Sequence, residues 1–372
     1  MLDGSGVIDG TVFEDANRDG AWLGDELGLA GWQVELQPIV ATDLPVTVFH
    51  NPTPDEWSQF GRFLAAAGDN VLVSSHYDEI AGAPDAGAAY LFNGMTGELL
   101  HTFLSPSPDD TDRFGRALAG TATRVAIGAP LDNTFAEDAG AVYVFDVATG
   151  ELLHELYNPS PTENDQFGRA ITFVGDNIIV GARFEDQFGD DAGAAYLFDG
   201  ETGEHLVTFA SPFSAPNAQF GYSVAALGNN VLVGARFDET GANGVGAVYL
   251  FDGETGNLLQ VFANPTRRSN GEANDFGAAV TTVGNNVLIA ARADDTGVDG
   301  AGAAFLFDGA TAELLHTFTS PTPFEGEEFG SAVASFGDDL LIGARWDNRG
   351  DTLGEGSGGA AYLFDGETGA LL

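Results

Sequence analysis

Two patterns hold the residues best equipped for chemistry. From 15 to 26 the chain reads Asp15-Ala16-Asn17-Arg18-Asp19-Gly20-Ala21-Trp22-Leu23-Gly24-Asp25-Glu26. Oxygen-bearing side chains alternate at its start, a glycine allows a sharp turn, and a carboxylate closes it, which matches the calcium loop D-x-[DN]-x-[DN]-G-x5-E. A hard cation wants six to eight oxygens, so Asp15, Asn17, Asp19, the Ala21 carbonyl and a bidentate Glu26 would supply the protein ligands. The plainer alternative is an acidic, glycine-rich hairpin that holds no ion. Val12-Phe13 and Trp32-Gln33-Val34-Glu35-Leu36 read as strands on either side, so the loop joins strands, not helices.

The second pattern is a column repeated along the chain: His76-x-Asp78, Pro130-x-Asp132, Arg183-x-Glu185, Arg236-x-Asp238, Arg292-x-Asp294 and Arg345-x-Asp347. Residues two apart in an extended segment project to one side. One reading is therefore a ring of arginine–carboxylate pairs that fixes loop geometry, each pair contributing only ~0–1 kcal/mol if exposed. The other is a polar rim for a ligand. The chain also carries Arg267-Arg268, a rare basic spot, and Arg349-Gly350-Asp351, a tripeptide short enough to recur by chance.

These residues are positioned by a repeat. Phe-Gly recurs at 60, 114, 167, 220, 276 and 329, every 53 to 56 residues. Such a period, with several strands in each unit, indicates a propeller or solenoid. In the first unit the strands fall at about 60–67, 70–75, 87–92 and 98–103. The first two are joined by a tight turn of Gly with Asp or Asn, and the last two by Asp-Gly-Glu-Thr-Gly or a relative of it, sequences suited to hairpins. Four antiparallel strands in a meander, repeated around an axis, make a propeller blade. The short turns then share one face of the ring and the long acidic loops share the other, where function is expected. The Phe of each Phe-Gly reads as a core wedge. The Gly-Ala pairs of the second and third strands read as small residues packed near the ring axis.

Phe-Gly followed by Gly128-Ala129-Pro130 or Gly-Ala-Arg, then Gly-Ala-x-Tyr, resembles FG-GAP repeats over residues 44–372. The resemblance implies a β-propeller of the kind found in integrin α-subunits and microbial surface proteins. Integrin-type blades often carry a calcium loop between their first two strands. A tight turn stands there in this chain, so calcium is not expected on the blades. The Thr-Gly-Glu-Leu-Leu tails are similar to quinoprotein propeller repeats, but the Trp expected after them is His101, His154 or His316. Gly10 to Leu36 resembles the opening of the calcium-binding B-type domains of bacterial surface adhesins, over those first strands only.

The chain has 56 Asp+Glu against 13 Lys+Arg, every one of the latter an arginine, for a formal charge of −43. That excess disfavours nucleic acid and anionic membranes as partners. A saline or calcium-rich exterior would suit it, because the Debye length falls to about 3 Å at 1 M salt. Hydrophobic residues at 44% argue against disorder. There is no cysteine, hence no disulfide and no thiol chemistry. No apolar run reaches transmembrane length. Met1-Leu2-Asp3-Gly4 lacks the features of a signal peptide, so an exported protein would be represented here by a mature form or a piece.

The sequence therefore predicts an all-β chain with two parts, a calcium-type β-hairpin at 1–40 and a propeller at 41–372. Six sets of the first three strands are present against seven fourth-strand segments, counting 44–49 and the stub Ala370-Leu371-Leu372. Either a closed six-bladed ring or a seven-bladed parent lacking one blade accounts for that surplus, and a closed ring would be a monomer. No Cys or Ser nucleophile motif stands out. The expected function is non-enzymatic binding of a protein or glycan at the cell surface or outside the cell. A propeller-scaffold enzyme, hydrolase or quinoprotein-like, is the alternative, and a spacer in a large surface protein a third. Titratable groups converging on the axis would favour the enzyme. The candidates on the ligand face are Asp78, Asp132, Arg183, Glu185, Arg236, Asp238, Arg292, Asp294, Arg345 and Asp347.

Overall fold

The computed structural model describes residues 47–54, 57–213, 215–239, 246–266, 273–347 and 358–372. The calcium-type loop, with Asp15, Asn17, Asp19, Ala21 and Glu26, lies outside the described residues, as do Arg267-Arg268 and Arg349-Gly350-Asp351. The described residues contain strands and turns and no helix, so no helix among them is long and apolar enough to cross a membrane.

Six antiparallel sheets follow one another. The first is β1 (Leu64–Ala67), β2 (Asn70–Ser75), β3 (Ala88–Asn93) and β4 (Leu99–Leu104); the second is β5 (Ala117–Gly120), β6 (Arg124–Ala129), β7 (Ala141–Asp146) and β8 (Leu152–Tyr157). The third is β9 (Ala170–Val174), β10 (Asn177–Ala182), β11 (Ala194–Phe198) and β12 (His205–Ala210). β13 (Phe220–Leu227), β14 (Asn230–Ala235), β15 (Ala247–Phe251) and β16 (Leu258–Ala263) form the fourth. The fifth holds β17 (Phe276–Val283), β18 (Asn286–Ala291), β19 (Ala303–Asp308) and β20 (Leu314–Thr319). The sixth has β21 (Phe329–Phe336), β22 (Asp339–Ala344) and β23 (Ala360–Asp365), with Leu371 bridging Phe364 where a fourth strand would run. The chain is a six-bladed β-propeller.

Local chemistry writes the meanders. Asp199 shows the outer turn: its carboxylate accepts from the backbone N–H groups of Glu201 and Thr202, both at 2.8 Å. Asp146, Asp252, Asp308 and Asp365 repeat it, an Asx turn closed by the following Thr. In five blades the inner hairpin closes through two residues, as where Val174 pairs with Asn177 across Gly175-Asp176.

Packing between blades does the rest. Neighbouring inner strands lie side by side, β1 with β5 and so on to β17 with β21, so the first strand of each blade lines the axis. Five hydrophobic clusters each join one blade to the next. The Phe of every Phe-Gly is buried between the two aromatics of its own third strand; Phe220, for example, lies 5.7 Å from Tyr249 and 6.0 Å from Phe251. The wedge reading holds.

The reason for the Gly-Ala pairs differs from axial crowding. They lie on the second and third strands, away from the axis, where the backbone of the next blade arrives. The Phe220 N–H donates to the Ala192 carbonyl at 2.9 Å, and the same bond recurs from Phe114 to Ala86, Phe167 to Ala139 and Phe329 to Ala301. A side chain on the intervening glycine would occupy the space through which these backbones meet.

Residues 47–49 take the place of a fourth strand ahead of the first blade. Phe49 packs 5.2 Å from Phe92, as Phe103 does 4.8 Å from Phe145 and Phe318 does 5.0 Å from Phe364. Thr47 donates to the Met95 carbonyl in the next turn, the contact that His154 makes with Glu201 and His316 with Glu367. Among the described residues this segment pairs with no strand, and no core cluster joins the sixth blade to the first. Ala361 on β23 is exposed, although every residue of β11, β15 and the corresponding apolar stretches is buried.

Candidate ligand-binding face

The repeated column does not stay together. Each carboxylate is buried and held in the loop that follows the second strand. Tyr90 donates to Asp78 at 2.6 Å and Ser75 donates to the same carboxylate at 2.6 Å. Tyr143 donates to Asp132 at 2.6 Å, and Glu185 accepts from Tyr196 at 2.7 Å and from Asn158 at 2.5 Å. Asp238 accepts from Ser211 at 3.0 Å, Asp294 from Asn274 at 2.7 Å, and Asp347 from Tyr362. These six groups are at most 2% exposed, so they lock loops and are closed to a ligand.

The arginines point elsewhere, and the expected pairing with the carboxylate two residues on is not what they make. Three of the four reach the residue that precedes their own Phe-Gly, 17 positions back. Arg183 donates to Gln166 at 2.8 and 3.1 Å, Arg236 to Gln219 at 2.8 Å, and Arg292 to Asp275 at 2.7 Å. A backbone turn separates the two halves of the column: the N–H of Asp78 returns to Ser75 and that of Asp238 to Ala235. The segment is not extended, and the same-side argument fails there. Arg345 stacks its guanidinium 4.6 Å from the Trp346 ring centre.

A second tier of cations lies deeper and was not singled out in the sequence. The residue after Phe-Gly is Arg62, Arg116, Arg169, Tyr222, Ala278 and Ser331 in turn, at the start of the axial strands. Arg62, Arg116, Arg169 and Tyr222 are half-buried. Arg236 stacks 4.3 Å from the Tyr222 ring centre and Arg183 lies 5.5 Å from it, so the two tiers meet there. The signal that could have found this tier is the tripeptide Phe-Gly-Arg, present in three consecutive repeats.

Titration behaviour reflects that crowding. Burial, followed by the charges of Arg169, Arg62 and Arg183, pushes Arg116 well below the usual guanidinium range. Burial and then Arg183 lower Arg169 in the same direction. Burial alone would raise the Tyr222 phenol, but Arg236, Arg292, Arg169 and Arg183 together pull it below its ordinary value. His76 is buried, its Nδ1 has no hydrogen-bond partner among the described residues, and burial with the charge of Arg116 and Arg62 depresses it well below its ordinary value. Carboxylates answer part of this charge. Asp275 bridges Arg292 and Arg236, at 2.7 and 3.7 Å, and Asp85 lies 3.8 Å from Arg113.

Beneath the loops, buried carboxyls sit in like-charged pairs. Burial and the neighbouring Asp132 raise Asp112 to about 7, and burial with the charge of Glu185 raises Asp165 to about 6. Both groups hold a proton in the folded chain that the unfolded chain releases above about pH 4. The stability they contribute is complete below that pH and is lost as pH rises through 6 to 7. The exposed turn aspartates are lowered by hydrogen bonds within the turn, Asp199 chiefly from the Thr202 backbone and Asp252 chiefly from the Thr255 hydroxyl, so their contribution fades only as pH falls below the ordinary carboxylate range. The melting temperature is therefore expected to peak near about pH 5 and to fall toward pH 8. Thermal scans of Asp165→Asn should show a flatter slope between those values; an unchanged slope would remove Asp165 as its source.

The family profile described as FG-GAP repeat matches this chain four times, at 106–145, 159–198, 214–251 and 322–364. No curated protein matches the chain.

Proposed function

We propose, for a chain that carries FG-GAP repeats on a six-bladed propeller, a non-enzymatic binding module of the cell surface or exterior. Its ligand, a protein or a glycan, is taken by the face of the ring from which the long loops emerge. The observation that carries this reading is the division of the two faces. One holds tight turns closed on themselves, while the other gathers the long connections around an axis lined by cations. Trp57, Phe135 and Phe213 stand on those connections and are 42, 61 and 58% exposed, which gives the face aromatic anchors of the type that dominate binding energy.

Titratable groups do converge on the axis, the arrangement a propeller enzyme would need. Most are guanidiniums, which neither take nor give a proton near neutral pH, and this supports binding over catalysis. Calcium at Asp15, Asn17, Asp19, Ala21 and Glu26 belongs to the proposal on the strength of the sequence pattern, as a clamp on the N-terminal hairpin.

Protein and glycan arrays probed with the full chain, with calcium and again with chelator, test the reading. Trp57→Ala with Phe213→Ala is expected to weaken a hit by about tenfold or more, whereas Met95→Ala on the short-turn face leaves it unchanged. Equal loss from both faces would overturn the assignment. Retention of binding in chelator would separate the calcium loop from recognition.

A further inference from the structure

The geometry points to an oxyanion site on the propeller axis, where Arg116 and Arg169, supported by Arg62, Arg183 and Arg236, take one compact carboxylate, sulfate or phosphate group. The inference deepens the binding reading of the long-loop face, and rests on it for the direction from which a ligand arrives.

Three observations converge. First, cations are scarce, 13 arginines against 56 acids in the sequence, and of the nine arginines among the described residues six, Arg62, Arg116, Arg169, Arg183, Arg236 and Arg292, come to the inner ends of the blades. Second, the acids at the axis are unevenly placed. Asp275 answers Arg292 and Arg236 on the fifth-blade side. On the side of the second and third blades, the guanidiniums of Arg116 and Arg169 make no hydrogen bond or ion pair among the described residues; Arg116 has only the Phe63 ring, 4.4 Å away. Third, the charges that act most on Arg116 and Arg169 are those of other arginines, while Asp85 lies against Arg113 and Asp191 acts on Arg183. His76 is buried with an Nδ1 that has no partner among the described residues, and Gln59 and Gln166 stand at the positions that Asp275 occupies in the fifth blade.

Guanidinium forks held at this density are matched geometrically by the paired oxygens of a carboxylate, sulfate or phosphate. The size of the ligand group follows from charge. An extended polyanion would meet the acidic loops that surround the axis, while a single oxyanion reaches the cations without crossing much of that field. A compact group is therefore favoured over a long acidic chain.

The test uses the full chain and small probes, so it needs no knowledge of the natural ligand. Sodium sulfate, sodium phosphate and sodium glucuronate are titrated by calorimetry and by thermal shift, each against sodium chloride at matched ionic strength, with glucose as the neutral sugar. Matching is essential because any salt screens a charge of −43. The expected result is saturable binding of an oxyanion, with a thermal shift beyond that of chloride. Arg116→Gln with Arg169→Gln should weaken it at least tenfold, while Arg124→Gln, at the short-turn end of the second blade, leaves it unchanged. Tighter binding of glucuronate than of the inorganic ions would assign the group to an acidic sugar, and the reverse order to a free inorganic oxyanion.

The variants also separate a site from a structural role. Without oxyanion and at low salt, removing two crowded like charges should leave the melting temperature level or higher. A double variant that no longer folds would show the arginines to be structural and would overturn the site. So would equal shifts in sulfate and chloride at the same ionic strength. If the double variant keeps an array ligand undiminished, the oxyanion site falls while the long-loop face stands.

Discussion

Gly193→Ala is expected to cost the propeller roughly 4 kcal/mol or more, in the exceptional class for one methyl group. Gly193 has φ +80°, and a Cβ there would lie 2.1 Å from the carbonyl oxygen of Phe220, 2.7 Å from its nitrogen and 2.8 Å from the Arg183 carbonyl. All three contacts are backbone, so no side chain can swing away. The third and fourth blades would have to separate, breaking the Phe220 to Ala192 hydrogen bond and opening the cluster around Val233 and Tyr249. Gly228 supplies the control. Its φ is +60° and nothing lies within 4 Å of the added carbon, so Gly228→Ala should carry only the left-handed backbone penalty, about 1–2 kcal/mol. Urea midpoints of the two variants, each against the parent, measure the difference. If the two lose equal stability, backbone docking between blades is looser than described.

Phe220→Ala is expected to cost about 3–5 kcal/mol, the range for removing a fully buried aromatic side chain. Phe220 is completely buried beside Tyr249 and Phe251, and in the same cluster Phe209 of the third blade packs 5.1 Å from Phe251. The truncation would therefore hollow out an interface between blades, not the edge of one sheet. Phe220→Leu should recover about half of the loss, because apolar volume returns without the aromatic contacts. Phe213→Ala, at 58% exposure, should stay within about 0.5 kcal/mol. Denaturation of the three variants checks the order. A Phe220→Ala loss no larger than that of Phe213→Ala would refute the wedge.

The sequence by itself determined the strands, their order and the blade. The Asp-x-x-Thr-Gly turns close through hydrogen bonds within three residues, and the inner hairpins need only Gly with Asp or Asn, so both are legible wherever they occur. The buried Phe of each Phe-Gly was legible too, because an apolar side chain repeated at one place in a β-unit has a core as its natural destination. Tertiary structure alone decided the rest. Gly193 reads as a small residue, and only the arrival of Phe220 from the next blade shows why no Cβ is tolerated. Arg183 and Glu185 stand two apart, yet the turn between them sends one to Gln166 and the other to Tyr196. Arg116 and Arg169 lie one full repeat apart in the chain and meet because successive inner strands lie side by side at the axis. Short-range hydrogen bonds and side-chain period are properties of neighbouring residues. Convergence on an axis is a property of the ring, and it exists only once the blades have docked.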